Sequence, residues 1–358
     1  MPMRRRKKLI ELAESLIRVP TIAGREHLIL EQLNEMLQDA GFSVQHQPVS
    51  GTGGDNLIAS RGEGGPWFVT HVDVYPPYEH PQPFDPQRPD KDVLVGRGAV
   101  DTKGQIAALL WTLARTTEPV QAAFVVDEEE LGRGSAALQV PDGCQGAVVL
   151  EPTNLRLAYA EAGSVGLEVS VQGKAAHGAM PWSGISAVDL AFRQYQRVQE
   201  QPFMQRRHPM FPRGGWINLG TIKGGHDTMV VPSHCFLEME VGFAPGTTSE
   251  EVGEQIHEAM TDAESIHMTD IWEPWETSCE EEVGRRMEEA IESATGNRPE
   301  HWGMPSWTDG ANLVRMGVPT VVFGAGDLAV AHTWREALPI SELETMADIL
   351  TRFIQGWP

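Results

Sequence analysis

Long apolar runs are missing from this chain. No stretch reaches the roughly 18 to 20 uninterrupted apolar residues that a bilayer crossing needs, so a membrane span is not expected. Cysteine is scarce: Cys144, Cys235 and Cys279 are the only three, scattered and without Cys-x-x-Cys spacing. That excludes a disulfide framework and a zinc–thiolate site, and it points to a reducing cytoplasm. Basic residues are also few, 28 Lys and Arg against 50 Asp and Glu, for a formal charge of −22. A surface this negative repels phosphate backbones and anionic headgroups, which excludes nucleic acid and membranes as partners. The one basic cluster, Arg4 to Lys8, precedes an apolar stretch that Glu11 and Glu14 interrupt. Leu9, Leu12, Leu16 and Ile17 fall there at helical spacing, so the segment reads as an amphipathic first helix rather than a signal peptide. Repeats and low-complexity segments are absent as well.

What is present is a 41% apolar chain of 358 residues, enough for a sizeable core and about two domains. Several short apolar runs end on polar residues. Trp67 to Thr70 ends at His71, Ala122 to Val126 at Asp127-Glu128-Glu129, Ala147 to Leu150 at Glu151, and Thr320 to Phe323 at Gly324-Ala325-Gly326-Asp327. Between them lie helical stretches such as Gly104 to Arg115, with Ile106, Leu109, Leu110 and Leu113 on one face. Continuous apolar strands alternating with helices predict a doubly wound α/β sheet, whose ligands bind beyond the carboxyl ends of the strands.

The middle of the chain has a different rhythm. Leu167 to Val171, Trp216 to Ile222 and Phe236 to Phe243 alternate as half-exposed strands. Ile185 to Val198 and Ser249 to Ala263 read as helices, the second opened by a Ser cap and acids. This order predicts a ferredoxin-like α+β insert over 164–274. Residues 1–163 and 275–358 then form the main domain, with hinges at Glu161-Ala162-Gly163 and Trp272 to Thr277.

The polar residues at the strand ends carry the chemistry. His71 and Asp73 share one face of a strand end, where Asp73 can accept the second ring N–H of a metal-bound histidine. Asp101 sits in Gly96-Arg97-Gly98-Ala99-Val100-Asp101-Thr102-Lys103-Gly104, directly ahead of a helix. Alone it would be an ordinary cap, just as Glu128-Glu129-Glu130 alone would be a solvated turn. Joined by Glu151 and His332 on the same sheet edge, these acids would repel one another unless cations neutralise them. An oxygen and nitrogen donor set without thiolate suits zinc or another borderline divalent ion.

These segments resemble the zinc-dependent aminoacylase and acetylornithine deacetylase family, which includes succinyl-diaminopimelate desuccinylase and glutamate carboxypeptidase. The matching pieces are His71-Val72-Asp73, the Gly96 to Gly104 run, Asp127-Glu128-Glu129, Glu151-Pro152-Thr153, Gly173-Lys174-Ala175-Ala176-His177 with Pro181 and Gly184, and Ala331-His332-Thr333 with Glu336. They span nearly the whole chain in consistent order. The resemblance implies that His71 and Glu151 hold one zinc, Glu129 and His332 the other, and that Asp101 bridges them. Cobalt or manganese would suit the same donors. It further implies Glu128 as general base, His177 as an oxyanion donor on a lid domain, a homodimer, and a cis peptide at Asp101-Thr102. The implied reaction is acyl removal, acetyl foremost, from an N-acyl amino acid, with a dipeptidase or carboxypeptidase as the alternative.

Two departures concern the substrate. The family's arginine about ten residues after Val230-Val231-Pro232 is absent, since Gly242-Phe243-Ala244 stands there, and Met229 replaces the usual asparagine. Arg213 and Lys223 are the candidates for holding a substrate carboxylate instead. A metal-binding module without catalysis is disfavoured, because Glu128 adds nothing to metal binding yet is present. A dinucleotide enzyme is disfavoured too, because Gly96-Arg97-Gly98 lacks the third glycine and follows charged loop sequence.

Overall fold

The computed structural model describes residues 3–358, which divide into two compact units. The first comprises the chain up to Tyr159 together with Thr277–Trp302 and Thr308–Pro358. At its centre, four strands run parallel in the order Val120–Val125, Trp67–His71, Ala147–Val149, Thr320–Val322. Apart from Gln121 their residues are all buried, which is why each reads as a continuous apolar run rather than an alternating one.

The sheet as a whole is mixed. Asp55–Arg61 joins Val120–Val125 antiparallel, Ser43–Pro48 joins it in turn, and Leu157–Glu161 pairs antiparallel beside Thr320–Val322. The outermost strand, Ser43–Pro48, has no buried residue, so its sequence carried no apolar run to announce it.

The helix Lys103–Leu113 is buried on every side, not on the single face that its leucines marked out. It packs against the helices Met3–Ile17 and Ile340–Gln355, and Thr112 donates its hydroxyl to the Ala347 carbonyl at 3.1 Å. Its first residue, Lys103, donates to the Val19 carbonyl. Burial lowers that ammonium to about 7.

The second unit comprises Ala160–Glu276 and Gly303–Trp307. Its order is strand Gly163–Gln172, helix Ala187–Gln199, strands Trp216–Gly224 and His234–Phe243, helix Ser249–Ala259 and strand Ala263–Trp272. Across the sheet the strands run 263–272, 163–172, 234–243, 216–224, all antiparallel. This β-α-β-β-α-β arrangement is the ferredoxin-like one. Its core gathers Val165, Leu167 and Val169 with Ala191, Val252 and Ile256 from the two helices.

Several boundaries differ from expectation for physical reasons. The cap of the second helix is Thr248, whose hydroxyl accepts from Glu251 N–H at 3.2 Å, and the helix stops at Ala259. The strand Ala263–Trp272 went unrecognised because it is an edge strand with no fully buried residue. The expected hinge at Trp272 to Thr277 contains a further short strand, Trp275–Glu276, paired with Ala160 and Glu161. Together with the bond from Ala162 N–H to the Met304 carbonyl at 2.9 Å, that pairing carries 160–163, 275–276 and 303–307 with the second unit. Among the described residues no helix is long and apolar enough to cross a membrane.

Candidate metal centre

Three of the four parallel strands lead into the cluster. His71 closes the first and is fully buried. Its Nδ1 lies 3.0 Å from the Asp73 carbonyl, an acceptor only, so Nδ1 donates there and Nε2 is the atom that faces the acids. Nε2 stands 3.0 Å from Asp101 Oδ1, 3.4 Å from Glu151 Oε1 and 3.9 Å from Glu128 Oε2. Asp73 therefore orients His71 through its backbone, with its carboxylate farther off at 3.5 Å. That carboxylate instead accepts the Glu129 N–H at 3.0 Å. Asp73 thus contacts both a histidine and a glutamate.

The acids after Val120–Val125 enter through a locked turn. Asp127 has φ 68, a conformation that Asp tolerates better than most residues. Its carboxylate takes the Arg133 Nε–H at 2.7 Å and N–H at 3.1 Å, while its carbonyl accepts from Gly132 N–H at 2.7 Å. The turn sends Glu128 and Glu129 toward the cluster and leaves Glu130 exposed. Glu129 Oε1 accepts the Tyr75 N–H at 2.8 Å, and its Oε2 stands 3.0 Å from His332 Nε2.

Asp101 lies on a loop bent at Gly98, which has φ +84. The Asp101–Thr102 peptide is cis, as the resemblance implies. The loop is held by Glu336, whose Oε1 accepts from Val100 N–H at 2.9 Å and Asp101 N–H at 3.2 Å. The other Glu336 oxygen meets Arg97 at 2.6 Å, both side chains being fully buried. Sequence reading gave neither residue a role. Asp101 presents Oδ1 to His71 and Oδ2 to His332, the latter at 3.3 Å.

Two donor triplets result, His71 with Asp101 and Glu151, and Asp101 with Glu129 and His332, each with ligand atoms within 4.8 Å of one another. Glu128 also forms such a group with His71 and Glu129. The donors fit a borderline divalent cation: they are imidazole nitrogens and carboxylate oxygens, and Glu151 Oε1 is buried without a hydrogen bond. Asp309, which the sequence did not single out, is a further fully buried carboxyl, pushed by burial up to about 7 against the pull of His71 and Ser135.

Without a cation several of these groups are driven toward their protonated forms. Burial, outweighing His71, pushes Glu151 up to about 8, and burial also lifts Glu128 well above its ordinary value. For His332 burial acts downward, but Asp101 and Glu129 raise it to about 10. His71 is likewise raised, Glu128 and Glu151 outweighing burial. The folded metal-free chain thus binds protons that the unfolded chain releases. Its stability should fall as pH rises from Glu151's ordinary 4.5 through about 8. Lys103 opposes this only above about 7. Urea midpoints of the metal-free protein at acidic and mildly alkaline pH check the sign, and a midpoint that rises with pH refutes it. A bound cation replaces those protons, so metal loading should flatten the slope.

The remaining predicted residues belong to the second unit. His177 is exposed, its Nδ1 accepting from Ala179 N–H at 3.1 Å, and its backbone bridges to Val230. Arg213 is exposed, and Lys223, on Trp216–Gly224, lies 4.0 Å from Glu238. At Gly242, where the family arginine is missing, a Cβ would meet the Trp216 indole at 2.1 Å, so the tryptophan covers that position.

Acids and imidazoles converging at the carboxyl ends of parallel strands are the arrangement of a metal-dependent hydrolase. The chain belongs to peptidase family M20/M25/M40, whose model matches residues 67–356. It is 30% identical to acetylornithine deacetylase of Myxococcus xanthus over 367 residues, 95% of this chain and 94% of that protein. It is 28% identical to a probable carboxypeptidase of Aspergillus terreus over 376 residues, 95% of this chain and 84% of that one. A tripeptidase from Staphylococcus aureus shares the fold, with a TM-score of 0.79 at 19% identity over 98% of each chain. The protein is a hydrolase acting on amide bonds.

Proposed function

We propose that this hydrolase removes an acyl group, acetyl foremost, from N-acyl amino acids with the help of two zinc ions. His71 and Glu151 would hold one, Glu129 and His332 the other, with Asp101 between them; cobalt or manganese would suit the same donors. The observation that supports this reading is Asp101 itself, whose two carboxylate oxygens face different histidines at 3.0 and 3.3 Å. Bound there, the cations supply polarisation of the scissile carbonyl and an acidified water.

The chain's own residues do the rest. Glu128, its side chain 10% exposed and 3.9 Å from His71 Nε2, takes the proton of the attacking water and hands it to the leaving nitrogen. His177 would donate to the oxyanion as it forms, within a homodimer whose inserted unit carries it. Asp73 and Glu336 orient the donors without touching substrate. With Gly242 under Trp216, the substrate carboxylate falls to another base, Arg213 or Lys223.

A dipeptidase or carboxypeptidase stands beside this reading, favoured by the relative named a probable carboxypeptidase. Incubating the zinc-loaded protein with N-acetyl amino acids, N-succinyl amino acids and dipeptides separates them. The acyl-amino-acid reading requires the N-acetyl compounds to give the highest kcat/KM, and faster cleavage of dipeptides overturns it in favour of the peptidase.

A further inference from the structure

The two histidines of the cluster are held by different means. His71 is enclosed, and its Nδ1 is pinned by the Asp73 carbonyl at 3.0 Å. A ligand histidine ordinarily needs such a partner on its second nitrogen to keep its ring in the binding orientation. His332 sits on a loop at φ 60, with its side chain 45% exposed, and its ion pairs with Asp101 and Glu129 both run through Nε2. What restrains its ring is a face: Tyr75 stacks on it with centroids 4.0 Å apart and planes 8° from parallel.

Tyr75 also reaches the neighbouring donor. Its main-chain N–H donates to Glu129 Oε1 at 2.8 Å, which leaves Oε2 directed at His332. The tyrosine ring is itself braced by Tyr78 at 5.6 Å and lies 6.0 Å from the Arg97 guanidinium. One residue therefore touches two of the three donors in the Asp101–Glu129–His332 group and neither His71 nor Glu151.

We propose that Tyr75 is the positioning residue of the second cation position, its ring aligning His332 and its amide aligning Glu129 for a borderline divalent ion. The inference rests on the two-cation reading above and deepens it. Losing the stack frees the His332 ring to rotate, so the ion must order that ring on binding and the affinity drops. The first position, pinned by backbone and burial, keeps its affinity.

The test titrates metal-stripped full-length protein with Zn²⁺ by calorimetry and with Co²⁺ by visible absorption. Wild type should take up two ions. Tyr75→Ala should still take up two, one of them about 10- to 100-fold more weakly, with the cobalt bands of that equivalent altered. Tyr75→Phe keeps the ring and should restore wild-type affinity and spectrum. Tyr75→Leu, which fills the space without a flat face, should behave as Tyr75→Ala does. Two wild-type affinities in Tyr75→Ala, equal weakening of both ions, or failure of Tyr75→Phe to restore them each overturn the proposal. Uptake of fewer than two ions by wild type instead overturns the two-cation reading.

Discussion

Glu128→Gln should retain the metal content of the wild type while kcat falls by about 10²- to 10⁴-fold, the usual worth of a positioned general base. The substitution keeps the shape and one acceptor oxygen but cannot take a proton from water. A loss of that size corresponds to roughly 3 to 5 kcal/mol in the barrier. Burial keeps Glu128 well above the ordinary carboxylate range when no cation is bound, and a nearby positive charge brings it back toward ionisation. The variant also separates two roles that the geometry leaves adjacent, since Glu128 falls within ligand distance of His71 and Glu129. Activity and metal content measured on the same preparation decide between them. Surviving activity shows that another group moves the proton, and a parallel loss of metal makes Glu128 a ligand.

How much of this could be read from the sequence depended on whether a residue acts through its own strand or through a distant partner. The parallel core was legible because strands buried on both faces must be continuously apolar, as Trp67–His71 and Val120–Val125 are. Four of the donors were legible because each ends such a strand or opens the next helix, and strand ends in an open α/β sheet converge on one edge, whereas His332 lies on a loop beyond Leu328–Val330. What supports the donors was not legible. Glu336 bonds the Asp101 loop from across the chain, Tyr75 stacks on His332, and Asp73 turns its carbonyl rather than its carboxylate to His71. The first two have no local pattern, because each joins residues that only the finished fold makes neighbours, and the third turns on which oxygen of a residue two positions away faces the ring. The same limit hid the edge strand Ala263–Trp272, which lacks the buried alternate face that makes a strand readable.

The second large effect concerns Asp101, and it should differ in kind from any other ligand substitution. Glu151→Ala or Glu129→Ala removes a donor from one triplet, so each should cost chiefly one ion. Asp101 belongs to both triplets, and its oxygens divide between the histidines, Oδ1 toward His71 and Oδ2 toward His332. Asp101→Ala should therefore lower the affinity of both ions, each by more than the about 10- to 100-fold that losing an outer partner costs. Turnover should fall with the metal and should not return when zinc is added at concentrations that refill Glu129→Ala. The Arg97–Glu336 pair and the bonds from Val100 and Asp101 N–H to Glu336 do not involve the Asp101 side chain, so the loop should keep its place. Metal analysis after dialysis, alongside circular dichroism to show an intact fold, is the measurement. Loss of a single ion in Asp101→Ala would show that the carboxylate serves one triplet only, and the two positions would then have to be independent sites rather than a shared centre.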